Sequence, residues 1–177
     1  MKPQADIYQR QQRPQSELHS DSKTVRYELE MLIGVADGFS DPHVQADVVV
    51  RNAFVESFAV HCRALILFLF GHLDEITANA NTVGFARARS TDVLAFDFHR
   101  KWDQSYQPPT AIMVDAKVQA DKHVAHITID RRELNQTGSP KESVWDLRKI
   151  TTELCHVFSN WVCPEILAVL SFCGVAS

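Results

Sequence analysis

Apolar positions recur at steps of three and four through most of the chain. Leu29, Leu32, Val35 and Phe39 share one face of a helix expected from about Thr24 to Phe39, ended by Gly38 and Ser40. Asp41 and Pro42 then supply an N-cap and a proline at the first helical position. A long second helix is expected from there, from about Pro42 to Phe70, closed by Gly71. Its stripe is Phe54, Phe58, His61, Leu65 and Phe68, at steps of four, three, four and three. Glu56, Val60, Arg63, Leu67 and Phe70 form a neighbouring stripe. Polar groups on such stripes need partners wherever they are buried.

Further along, residues 71–91 have weak periodicity and read as a loop. Asp92 to His99 reads as a short helix capped by Thr91 or Asp92. Trp102 and Pro108-Pro109 mark a turn. A helix over about Thr110 to Ile129 sets Ala120, Val124 and Ile127 on one face. Lys122 and His126, four apart, stand side by side on another. Ile127-Thr128-Ile129 leaves a strand open there. Ser139-Pro140-Lys141-Glu142 is a capping box. The helix it opens has the core stripe Val144, Leu147, Ile150, Leu154, Val157 and Trp161, and Pro164 bends or stops it. Glu165 to Val175 is one more packed helix or a strand.

Strands and helices do not alternate, and no segment repeats, which argues against α/β folds. The expected fold is all-α: a four-to-six-helix up-and-down bundle forming a single domain over residues 23–177. Residues 1–22 are rich in Gln, Pro, Ser and charge, too polar to offset their ordering entropy. They read as a disordered N-terminal tail.

Bulk composition narrows the function classes. The chain has 177 residues, enough for one well-buried core. A net charge of -4 argues against a non-specific nucleic-acid binder but leaves room for a site that reads RNA. The start of the chain has no apolar export segment, and the run Ala64 to Phe70 is too short to span a bilayer. The expected compartment is the cytoplasm, with no membrane partner. The sequence has no Gly-rich phosphate loop, no G-x-S-x-G and no H-E-x-x-H, so no cofactor is expected. Cys155, His156, Cys163 and Cys173 are not expected to bind a metal. Their spacing fits no common zinc template, and adjacent helical residues diverge. The cysteines read as small core residues.

Two polar constellations carry candidate chemistry. In Asp121-Lys122-His123-Val124-Ala125-His126, one helix bears two histidines, a lysine and a carboxylate. Histidine is the natural acid or base near neutral pH, and lysine can stabilise developing negative charge. The plain alternative is a satisfied core His126 beside a solvated Lys122. The second constellation is His61 with Arg63 and Glu56 in the middle of an apolar helix. Arginine there needs a carboxylate, a phosphate or a route to water. The plain alternative is an internal ion pair between Arg63 and Glu56 or another carboxylate.

Phe58-Ala59-Val60-His61-Cys62-Arg63-Ala64-Leu65, followed by Asp121-Lys122-His123-Val124-Ala125-His126, resembles the pattern of HEPN-type helical proteins. The order of elements over about residues 24–162 is similar too. The resemblance implies a helical bundle that forms a homodimer in a bacterial stress or phage-defence setting. Many such proteins are metal-independent endoribonucleases of toxin–antitoxin type, some with a cognate protein partner. Their catalytic motif is an arginine followed within a few residues by a histidine. His126 matches the histidine, whereas Ala120 or Asp121 stands where the arginine belongs and Lys122 is the nearest cation. The one literal match, Arg13 to His19, falls in the polar tail. The catalytic reading assigns His126 as acid/base, Lys122 and Arg63 as charge stabilisers, and His61 or His123 as assistants, acting on RNA without a metal. The alternative is a non-catalytic dimerisation or interaction protein, in which the same residues form a structural network.

Overall fold

The computed structural model describes residues 13–78, 81–85, 89, 91–98, 109–125 and 145–161. Six helices and one hairpin lie among them: α1 Gln15–Gly38, α2 Pro42–Ala46, α3 Val48–Phe70, β1 Glu75–Ala78, β2 Asn81–Gly84, α4 Ala95–Phe98, α5 Ala111–Ala125 and α6 Leu147–Trp161. The protein is mostly helical, as its periodicity predicts.

The first helix begins at Gln15, not near Thr24. Residues 15–22, assigned above to the tail, are therefore helical. The cause is visible in the burial: Leu18, Ser22, Val25, Leu29, Leu32 and Ala36 form one line at steps of four and three. Ser22 breaks the apolar pattern but sits on the buried face, where its hydroxyl donates to the His19 carbonyl. Residues 1–12 lie outside the described part.

The expected second helix is two helices. Asp41 caps α2 by accepting the His43 N–H at 2.7 Å. Asp47 then leaves the helical conformation and caps α3, accepting from the Val49 and Val50 N–H groups at 2.8 and 3.2 Å. Aspartate competes well for orphan N–H donors, so it restarts the helix where the pattern alone runs on. At the other end Gly71 donates to the Leu67 carbonyl. A Cβ there would stand 2.5 Å from that oxygen, so only glycine fits.

The segment read as a loop holds a small antiparallel hairpin, set beside an otherwise helical fold among the described residues. Ile76 pairs with Val83 and Thr77 with Thr82. The Ile76–Val83 pair is buried, while the threonine hydroxyls meet at 2.9 Å on the outer face. Four residues per strand are too few for period-two alternation to stand out.

The four long helices close a ring: α1 packs on α3, α3 on α5, α5 on α6, and α6 back on α1. Phe58, Leu65, Ile66 and Leu69 of α3 fill its centre with Leu29, Leu32, Met113, Val114, Leu154 and Phe158. Phe68 stacks on Phe158 at 5.8 Å, and Trp145 meets Phe58 edge-on at 5.5 Å. Helix α6 starts at Leu147, with the Asp146 carboxylate accepting the Lys149 N–H. The capping box at 139–142 lies outside the described residues, as do the C-terminal segment after Trp161 and the Ile127–Ile129 stretch. Helix α4 is shorter than expected, Ala95–Phe98. Helix α3 is long and apolar enough to cross a membrane by length and composition, with a mean hydropathy of 1.7. Half of that window is buried inside the protein, as in a core helix.

Candidate functional site

Helix geometry decides which of the singled-out residues meet. His61 and Arg63 are two residues apart, so they leave α3 about 200° from one another. His61 faces α1, where its Nδ1 lies 2.7 Å from Glu28 Oε2. The Tyr27 ring meets the imidazole edge-on at 6.0 Å. Arg63 faces α5, where its Nε lies 3.0 Å from Asp121 Oδ1. The structure thus separates His61 from Arg63 and brings Arg63 to the Asp121-Lys122-His123 stretch. The partner of Arg63 is Asp121, not Glu56.

Asp121 also holds a second cation. The Lys117 ammonium, one helical turn earlier on α5, pairs with Asp121 Oδ2. The Lys117 side chain is 6% exposed, against 47% for Arg63 and 35% for Asp121. Its ammonium also lies 5.4 Å from the centre of the Phe85 ring. Two cations against one carboxylate leave a net positive charge at this seam. Because Arg63 engages Asp121 through Nε, its terminal nitrogens are free of other protein partners among the described residues. A guanidinium edge presented this way suits a phosphate or carboxylate.

Cys62 sits beside this seam but is chemically inert. Burial pushes its thiol up to about 12, against the pull of the nearby Lys117 charge. The protonated thiol is no nucleophile near neutral pH.

Of the remaining candidates, Lys122 and His123 belong to α5, but their side chains lie outside the described residues, as does all of His126. Cys155 is buried while its neighbour His156 is exposed, so the two diverge; Cys163 and Cys173 lie outside the described residues. Arg13 does not act with His19. Its guanidinium reaches the Asp92 carbonyl, Asp21 and Asp97, and His19 is exposed.

Lys117 and Glu28 were missed by sequence reasoning. Lys117 was detectable, since Lys117 and Asp121 stand four apart on one helix. Glu28 gave no signal, because 33 residues separate it from His61.

The chain matches no protein-family model, no curated protein and no solved structure.

Proposed function

We propose that the seam between α3 and α5 is the site of a metal-independent, HEPN-like endoribonuclease acting on RNA in the cytoplasm. The observation that supports this most is the ion pair of Arg63 with Asp121. It delivers a half-exposed guanidinium from α3 to the helix that carries Lys122 and His123 and leads to His126. The arginine missing from the motif on α5 is thereby supplied from the neighbouring helix.

In this reading the Arg63 terminal nitrogens bind a phosphodiester, and Lys122 adds a second positive charge. His126 takes the proton of the ribose 2′-hydroxyl as that oxygen attacks phosphorus, and a protonated histidine, His123 or His126, returns one to the leaving 5′-oxygen. The products are a 2′,3′-cyclic phosphate and a 5′-hydroxyl. Positioned cations offset the charge that builds on the equatorial oxygens. His61, turned to Glu28, holds α1 to α3 instead of assisting.

The test is incubation of the purified chain with unstructured RNA in EDTA. Wild type should cleave, and Arg63→Ala and His126→Ala should lose cleavage while keeping their melting temperatures. Continued cleavage by His126→Ala removes the assignment. A large fall in melting temperature, with no cleavage by wild type, replaces it with a structural polar network.

A further inference from the structure

The hairpin packs on α5, the helix that carries Asp121. Its ladder runs one step past Gly84, because the Phe85 N–H donates to the Asp74 carbonyl at 2.9 Å. That bond fixes the backbone of Phe85 beside α5. The Phe85 ring lies over the Lys117 ammonium, 5.4 Å from centre to nitrogen. It is half-buried, so part of it meets water. Lys117 pairs with Asp121, and Asp121 with Arg63. Phe85 and Arg63 are therefore the two ends of one connected row: an aromatic ring, a buried ammonium, a carboxylate and a half-exposed guanidinium.

A packing role alone needs only an apolar cover for the Lys117 stem, which a leucine supplies as well. An aromatic ring adds a flat π-face, and such a face near a presented cation suits a nucleotide. The guanidinium takes a phosphate and the ring stacks on a base. One cation–π contact and two ion pairs separate ring and guanidinium, a span that one dinucleotide covers. A base can lie on a protein ring only when it has left its own duplex stack, so the ligand is single-stranded. Stacking uses a face that every base has, so it tolerates any sequence. The net charge of -4 fits a site that grips few phosphates and needs a contact of another kind.

We propose that Phe85 is the nucleobase platform of this seam, and that its ligand is single-stranded RNA held by one phosphate on Arg63 and one base on the solvent side of the Phe85 ring. This rests on the reading of the seam as an RNA site, and it adds the form of RNA and the residue that selects it.

Fluorescence anisotropy with a labelled 2′-O-methyl hexauridylate in EDTA reads binding without cleavage. Wild type is expected to bind. Phe85→Leu is expected to bind about ten-fold more weakly with the same salt dependence, since one stacked base and no charge is lost. Arg63→Ala is expected to flatten the slope of log affinity against log salt by about 0.7, the share of one phosphate. Wild type and Phe85→Leu should bind the same oligomer alike once it is made abasic. Phe85→Trp should keep its affinity, and the base-bearing oligomer should quench its fluorescence beyond that of wild type while the abasic one does not. This decides the matter if Phe85→Leu misfolds. Equal binding of hexauridylate by wild type and Phe85→Leu overturns the platform. So does a loss in Phe85→Leu that persists with the abasic oligomer, because the ring then acts only by seating Lys117. A wild type that binds no hexauridylate overturns it as well. A wild type that binds the oligomer but leaves RNA uncut removes the nuclease reading and keeps the platform.

Discussion

The Arg63 guanidinium on α3 and the Asp121 carboxylate on α5 meet at 3.0 Å, and Lys117 closes on the same carboxylate from within the core. The two cations differ in what they need from Asp121. Arg63 is 47% exposed and water can solvate it, so Arg63→Ala should cost no more than about 1 kcal/mol. Lys117 is nearly buried, and Asp121→Asn removes its counter-charge, so that variant should cost about 2 kcal/mol or more. Chemical denaturation of the two variants measures the order. If Arg63→Ala is the more damaging, the pair is a structural clamp and not a presented cation.

Cys62 makes stability depend on alkaline pH. Its thiol ordinarily titrates at 9.0, and burial raises it to about 12 in the folded protein. The native state therefore holds this proton more tightly than the unfolded state. That contribution is complete below pH 9 and is lost as pH rises toward 12. At its steepest it removes about 1.4 kcal/mol per pH unit. Cys62→Ala should be less stable near neutral pH because it leaves a cavity, yet its stability should fall less steeply above pH 9. Urea melts at several alkaline pH values compare the slopes, and equal slopes would remove Cys62 as the cause.

Much of this architecture was legible because burial writes a period into the chain. The line from Phe58 to Phe68 and the line from Leu147 to Val157 both appear in the core as the spacing requires. The breaks were harder to see. Asp47 ends one helix and starts another through two N–H groups, a local competition that leaves the apolar pattern unbroken. The start of α1 was hidden because the polar Ser22 occupies a place on its buried line. At the site, sequence reasoning found Arg63 and Asp121 but could not join them, since helix packing decides which carboxylate an embedded arginine meets. The same limit hid Glu28 from His61.

The Glu28–His61 contact is a test of whether His61 serves packing. With Nδ1 at 2.7 Å from the carboxylate and the ring mostly buried, the pair fixes α1 against α3. A double-mutant cycle of Glu28→Gln and His61→Ala should give a coupling energy of about 1 kcal/mol. RNA cleavage by His61→Ala should persist in proportion to the folded fraction. Complete loss of cleavage in a fully folded His61→Ala protein would return His61 to the chemistry.

Arg13 joins the start of α1 to the turn before α4. Its Nη2 donates to the Asp92 carbonyl at 3.1 Å, Nη1 reaches Asp21 at 3.3 Å, and Nε lies 3.6 Å from Asp97 Oδ2. The Asp97 side chain is fully buried and accepts the Leu94 N–H at 3.0 Å, so this carboxylate shapes the turn. Taking away a cation beside a buried carboxylate costs more than breaking a surface pair, and Arg13→Ala should lose about 2 kcal/mol. The loss should shrink when Asp97 is already Asn, because no buried charge then needs the guanidinium. Additive costs for Arg13→Ala and Asp97→Asn would mean that Arg13 acts mainly through Asp21 and the Asp92 carbonyl.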